Sequence, residues 1–253
     1  MQTAIDQHRE ATLQTPTPAP RVPEPWVPET QLGTWFINTD VWVKYVLRPA
    51  IRYLKALAGG RLPSAPVLLD LACGRGKAVA PLSEAFGPRR IIAFDVDATE
   101  VARAERDFAE ARSLKPSCPV RFGHCGVTKL DLEDASVDIV FCHQSFHHFI
   151  DQDAALEELR RVLRPGGVLL LSESLRAFIY TRRIRYLFRH PMEVQKTAPE
   201  YLNLFARAGF DRQSYKTSVV WWSRRDMGLF ERLGAAPSRN AEDTLLNLAA
   251  FRT

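Results

Sequence analysis

The residues in this chain best suited to chemistry fall in three short stretches. In VLLDLACGRGKAV, residues 67–79, an apolar run carrying Asp70 turns through Ala72, Cys73, Gly74 and Gly76. Glycine there lets backbone approach a ligand where a Cβ would obstruct it. Asp95 closes the run RIIAFD nineteen residues after Gly76, where a carboxylate can accept hydrogen bonds from both hydroxyls of a ribose. CHQSFHHF, residues 142–149, gathers His143, His147 and His148, and imidazole is the usual proton acceptor near neutral pH. A glycine turn after a first strand can cradle a pyrophosphate, a nucleoside or nothing. A dinucleotide site wants G-x-G-x-x-G, but counting from Gly74 the third position is Val79, and counting from Ala72 the first glycine is missing. The pyrophosphate reading is poor.

These residues need strands and helices to place them. From Val67 short runs rich in Val, Ile and Leu alternate with helical patterns. VLLDL precedes the helix GKAVAPLSEAFG, RIIAFD precedes ATEVARAERDFAEARS, and PVRFGHC is a shorter strand. A polar turn with Asp138 leads into VDIVFC, followed by the helix DQDAALEELRRVL, a Pro-Gly-Gly turn and the strand VLLLSE. TAPEYLNLFARAG has Thr197 as N-cap, Pro199 in its first turn and Gly209 at its end, and RQSYKTSVVWW and TLLNLAAFRT are late strands. The fold class predicted is α/β: a doubly wound, mostly parallel seven-stranded sheet with helices on both faces. Ligands in such sheets bind beyond the carboxyl ends of the strands. Ahead of it, residues 1–32 form a Pro-rich arm, with six prolines in 15–30, expected to be extended or disordered. Residues 33–62 form a helical lid that Pro49 should break or kink and Gly59-Gly60 should end. The main domain spans 63–253, with a basic cap inserted at about 174–198.

Composition narrows the function classes. At 46% hydrophobic and 25% charged residues the chain is globular, and no apolar run approaches the roughly 20 residues that cross a bilayer. The N-terminal MQTAIDQHREATLQ lacks the apolar stretch of a signal peptide, so the expected location is cytoplasmic. Cys73, Cys118, Cys125 and Cys142 show no CxxC pairing and no histidine at zinc spacing, which predicts reduced thiols and no metal site. Residues 176–225 hold eleven Lys and Arg against three Asp and Glu, a net of +8 that leaves −3 for the rest of a chain at +5. Such a block fits an anionic partner or a solvated basic face equally.

Five segments in register point to one family and, through it, to a cofactor. DLACGRG, Asp95 after the second strand, VTKLDLEDASVDIVF, CHQSFHHF and LEELRRVLRPGGVLLLSE together resemble the class I S-adenosylmethionine-dependent methyltransferases, in the small-molecule group that includes quinone-biosynthesis methyltransferases. The resemblance covers residues 65–175 strongly, EYLNLFARAGF and the last strands weakly, and the first 60 residues not at all. It implies S-adenosyl-L-methionine as cofactor, its methionine part wrapped by Ala72, Cys73, Gly74 and Gly76 with Asp70 near the amino group. Asp95 and Val96 would meet the ribose, and Cys142 and His143 the methionine end. Gly126 stands where many members carry an Asp that binds the adenine amino group, so the adenine would rely on backbone around Gly126 and Val127. Two plainer readings stand beside these: Asp70 capping the next turn, and Cys73 simply packing.

Methyl transfer from a sulfonium is an in-line displacement to O, N or C, helped mainly by positioning in a dry pocket. His147 or His148 would serve an oxygen nucleophile as general base, or would only pack and cap the loop. The family's substrate pocket implies Trp35, Phe36, Trp42 and Tyr45 on one side and Phe178, Tyr180, Tyr186 and Phe188 on the other, suited to a flat or lipophilic small molecule. Some of these rings would instead pack the lid helices. Read as one helix, residues 176–190 put Arg182, Arg185 and Arg189 on one face and Tyr180, Ile184, Leu187 and Phe188 on another. That pattern fits a lid over the substrate or contact with a membrane surface. The chain lacks the [DN]PP[YF] sequence of amino-methylating nucleic-acid enzymes, so nucleic acid is not the expected partner; methylation of lipid or RNA, or a cofactor-binding regulatory or partner-activating subunit without turnover, are the alternatives.

Overall fold

The computed structural model describes residues 25–110, 116, 118–210, 212–218 and 243–253. The Pro-rich arm before residue 25, the end of the helix after Glu110 and residues 219–222 of the first late strand lie outside the described residues. The described chain begins with α1 (Gln31–Ile37) and α2 (Asp40–Trp42), which run through a π-helical segment, Val43–Leu47, into α3 (Arg48–Ala58). Then β1 (Val67–Leu71), α4 (Val79–Phe86), β2 (Arg90–Asp95), α5 (Ala98–Glu110), β3 (Val120–His124), β4 (Val137–His143), α6 (Gln152–Val162) and β5 (Leu163–Ser174) follow in order. The chain continues through α7 (Arg176–Ile179), α8 (Arg182–Leu187) and α9 (Ala198–Arg207) to β6 (Arg212–Ser218) and β7 (Leu245–Phe251). The seven strands form one sheet in the order β3-β2-β1-β4-β5-β7-β6. Strands β1 to β5 are parallel, and β7 runs antiparallel between β5 and β6. The doubly wound, mostly parallel sheet predicted from the sequence is present.

Side chains of a strand alternate between faces, so each strand splits its residues between two cores. Leu69, Leu71, Val140, Cys142, Leu169 and Leu171 pack with α6 and α9, where Leu156, Leu159, Tyr201 and Phe205 are fully buried. Leu68, Ile139, Phe141, Val168 and Leu170 pack on the opposite face against Ile51 and Leu54 of α3 and Leu82 of α4. The stretch expected to be a lid is therefore divided. Its second half, α3, is a structural layer of the sandwich, and only the residues before it reach the cavity. Pro49 does not break this helix. It stands in the first turn of α3, directly after the π-helical segment, whose wider winding accommodates a residue without an N–H.

Three further expectations change. The Pro-Gly-Gly turn lies inside β5, as a bulge: five residue steps from Leu163 to Val168 face two on β4, from Val137 to Ile139, with Gly166 at φ 77°. Asp138 lies within β4 rather than in a turn before it. The basic segment is not one helix, because Thr181 adopts extended backbone (ψ 142°) and separates α7 from the six residues of α8. Arg189 falls beyond α8, so the three arginines do not share a helical face. Among the described residues no helix is long and apolar enough to cross a membrane.

Asp138 closes the bulge. One carboxylate oxygen accepts the Val67 N–H at 2.7 Å, and the other pairs with Arg164. Asp138→Ala would strand that backbone donor and unpair the arginine, so it is expected to cost about 1–2 kcal/mol. Urea unfolding checks this: the midpoint falls while the slope stays unchanged.

Candidate active site

The cavity, about 350 Å³, lies where the sheet order reverses between β1 and β4. Chain directions diverge there and open a crevice at the carboxyl ends. After β1 the loop takes left-handed backbone three times, at Ala72 (φ 57°), Gly74 (φ 50°) and Gly76 (φ 69°). Ala72 thus holds a conformation that glycine adopts without strain and alanine does not. The glycines differ in role. A Cβ on Gly74 would meet nothing within 4 Å, so this position is open on the cavity side. A Cβ on Gly76 would lie 2.8 Å from the Phe122 ring, so that glycine makes room for β3 rather than for a ligand.

Asp95 holds this loop against β2. Its carboxylate accepts the Gly74 N–H at 2.7 Å and the Asp97 N–H at 2.8 Å, leaving lone pairs for further donors. Asp70 sits beside it, 3% exposed, with Oδ2 buried and unpartnered among the described residues. Burial, and next the nearby Asp95 charge, push its carboxyl up to about 8. A buried carboxylate oxygen lacking a donor fits a cationic group entering the cavity. It does not cap the turn.

After β4 the backbone turns at Gln144 (φ 54°), whose amide oxygen accepts the Ser174 hydroxyl at 2.6 Å. The His143 ring stacks on Phe141 with centroids 6.0 Å apart and meets the Trp42 edge at 5.9 Å. Glu173, at the end of β5, is fully buried and accepts the Phe146 N–H at 2.7 Å and the Ser145 N–H at 3.2 Å. Its other oxygen shares a hydrogen bond with Nδ1 of His147. Burial pushes the Glu173 carboxyl up to about 8 and His143, His147 and His190 down to about 3. Burial, then His147 and His190, also lower His148. These rings are neutral at physiological pH and weakly basic, which disfavours the general-base role expected of His147 or His148.

The outer wall comes from two segments far apart in sequence. Thr30 donates its hydroxyl to the Leu187 carbonyl at 2.6 Å, and Glu29 accepts the Arg189 N–H at 2.9 Å. Phe36 packs edge-on to both Trp42 (5.4 Å) and Phe188 (6.4 Å). Of the expected site residues, Asp70, Ala72, Cys73, Gly74, Asp95, Val96, Val127, His143, His147 and His148 line this cavity, as do Phe36, Trp42 and Phe178. Cys142 does not, because strand alternation turns it into the opposite core. Gly76, Gly126 and Tyr45 are not among the lining residues. Trp35 points to solvent (64% exposed), and Tyr180 is half exposed with its hydroxyl on the Met192 carbonyl. Sequence reasoning missed Glu173 and His190. An acid closing the apolar strand VLLLSE was the available signal for the first, whereas His190 carried none.

Residues 69–171 match the family model described as a methyltransferase domain. A probable S-adenosylmethionine-dependent methyltransferase of Mycolicibacterium smegmatis is 33% identical over 145 residues, covering 57% of this chain and 51% of that one. The chain thus spans about half the length of that curated relative. Among solved structures, a SAM-dependent methyltransferase from Aquifex aeolicus superposes with TM-score 0.60 at 18% identity, over 87% of this chain and 97% of that one. The geranyl diphosphate C-methyltransferase of Streptomyces coelicolor A3(2), in complex with Mg²⁺, geranyl diphosphate and S-adenosyl-L-homocysteine, superposes with TM-score 0.58 at 18% identity, over 80% and 76%.

The raised Asp70 carboxyl sets a pH dependence. Folded, it holds its proton up to about 8, whereas unfolded it ionises near 3.8. Its contribution is therefore fully favourable below the unfolded value and is lost as pH rises towards the folded one. The Asp70 contribution to the denaturant midpoint of the ligand-free protein should decline between pH 4 and 8, so the midpoint of Asp70→Asn should rise relative to that of the unsubstituted protein across this window. Parallel midpoint curves for the two proteins would contradict the assignment.

Proposed function

We propose that this chain, which carries a methyltransferase domain with the class I S-adenosylmethionine-dependent fold, transfers the cofactor's methyl group to a small aromatic or lipophilic metabolite. The observation that carries the reading is the orphaned Asp70 carboxylate oxygen, buried beside the Gly74 loop in a cavity whose other side is aromatic. S-adenosylmethionine, when bound, supplies a sulfonium-activated methyl. Asp70 would hold its ammonium group, Asp95 its ribose hydroxyls, and the backbone around Val127 its adenine. Phe36, Trp42, Phe178 and Phe188 supply the apolar wall that keeps water from the acceptor. With weakly basic histidines, rate enhancement falls to positioning and desolvation, which can supply several kcal/mol.

The two segments joined by Thr30 and Leu187 also carry Trp35 and Tyr186, the latter 85% exposed, next to Arg185. Exposed rings beside cations support peripheral membrane contact as the route for a lipophilic acceptor. Salt-sensitive co-sedimentation with anionic liposomes tests this; absence of binding at low salt removes it.

Asp95→Ala is expected to weaken S-adenosylhomocysteine binding about tenfold or more, through loss of a charge-assisted contact. The same change frees the Gly74 and Asp97 N–H groups and lowers unfolding stability by about 1–3 kcal/mol. Calorimetry and denaturation measure the two effects separately. Incubation with methyl-labelled cofactor and fractionated metabolite extracts then tests turnover. Failure to bind the product cofactor at all would overturn the reading, and binding without label transfer would leave a regulatory binder.

A further inference from the structure

A histidine cluster stands on the cap side of the cavity, and the proposed transfer does not use it. His147, His148 and His190 each offer a ring nitrogen within 4.8 Å of the others. Their ring centroids lie 4.3 Å apart for His147 and His148, and 5.0 Å from each of these to His190. The rings come from two separate stretches, the turn after β4 and the segment after α8. Gln195, 5% exposed, ties these stretches together: its amide nitrogen donates to the His147 carbonyl at 2.8 Å and the Pro191 carbonyl at 2.7 Å. Because Nδ1 of His147 is engaged by Glu173, Nε2 is the nitrogen left for the cluster, and it is buried without a partner among the described residues. Nδ1 of His190 is likewise buried and unpartnered. Orphaned polar atoms of this kind call for a ligand.

We propose that His147, His148 and His190 bind a divalent transition-metal ion of the zinc type, with the Glu173 carboxylate orienting His147. An all-nitrogen donor set suits zinc, iron, cobalt, nickel or copper, whereas magnesium and calcium take oxygen. A carboxylate on the far nitrogen of a ligating histidine is the usual device for fixing ring orientation and raising ligand basicity. Three protein ligands leave a fourth position open, and all three histidines line the cavity, so that position faces the substrate side. Metal–nitrogen bonds of about 2.1 Å at a tetrahedral ion put the nitrogens ~3.4 Å apart, so the rings close by side-chain rotation when the ion enters. The open position would take the oxygen of an enol, phenol or carboxylic acid of the acceptor; the cation would lower the pKa of that O–H, so that its proton leaves to water and the anion stays bound. Cysteine and histidine spacing predicted no metal site because His190 lies 42 residues beyond His148 and joins it only through the cap.

The test uses the tag-free full chain, stripped with chelator and titrated with Zn²⁺ alone, so its outcome is independent of cofactor binding and turnover. The expected result is about one ion per chain, retained through gel filtration and confirmed by elemental analysis. His190→Ala, on the cap, should weaken Zn²⁺ binding about a hundredfold, and Glu173→Gln about 10–100-fold. Circular dichroism checks that both variants remain folded, and His148→Ala serves as a second ligand variant if either does not. Co²⁺ substitution supplies a spectroscopic readout, since its visible bands should change in Glu173→Gln while the stoichiometry holds. Zinc well below one equivalent in the native protein, or native affinity in His190→Ala, overturns the site.

Discussion

One carboxylate keeps the glycine loop where a ligand can use it. Asp95 ends β2 beside the end of β1, because the parallel register pairs Leu71 with Phe94. From there its two oxygens take the N–H groups of Gly74 and Asp97, while the Phe94 carbonyl takes that of Cys73. A loop with three left-handed residues has little conformational stability of its own, and these bonds supply the restraint. The restraint also seals Asp70 from water, and burial is what raises its carboxyl.

The carboxyl ends of β1, β4 and β5 concentrate polar groups that a packed core would exclude. Asp70, His147 and Glu173 are nearly or fully buried there and His143 is half-buried, whereas the middles of the same strands are apolar. Glu173 offsets part of this cost by accepting the Ser145 and Phe146 N–H groups, which fixes the turn after β4. The unpartnered Asp70 Oδ2, His143 Nε2 and His147 Nε2 belong to residues that line the cavity. Groups held away from their preferred charge state by desolvation in a cleft are the signature of a functional site. The outer wall deepens the desolvation, since the chain before α1 is latched to the end of α8 through Thr30 and Glu29.

The local patterns that were legible share one property: their physical cause lies within a few residues. Short continuous runs of Val, Ile and Leu gave the strands, capping residues such as Thr197 gave α9 its start, and Asp70, Gly74 and Asp95 gave one side of the cavity. Where reading failed, the cause was remote. Pro49 looked like a breaker because the π-helical turn that accommodates it leaves no mark in the composition. Arg182, Arg185 and Arg189 shared a face only on an unbroken helix, and the backbone leaves helix at Thr181.

The sequence by itself determined the sheet, its order of elements and the carboxylate-and-glycine side of the cavity, because periodicity and backbone preference act along the chain. Tertiary structure alone decided that Cys142 faces a core while His143 faces the cavity, that Gly76 serves Phe122, and that α3 is a layer rather than a lid. It alone brought His190 to His147 and His148 and set Glu173 behind them. Contacts between residues tens of positions apart depend on how the sheet and the cap close on each other, and no local pattern encodes that closure.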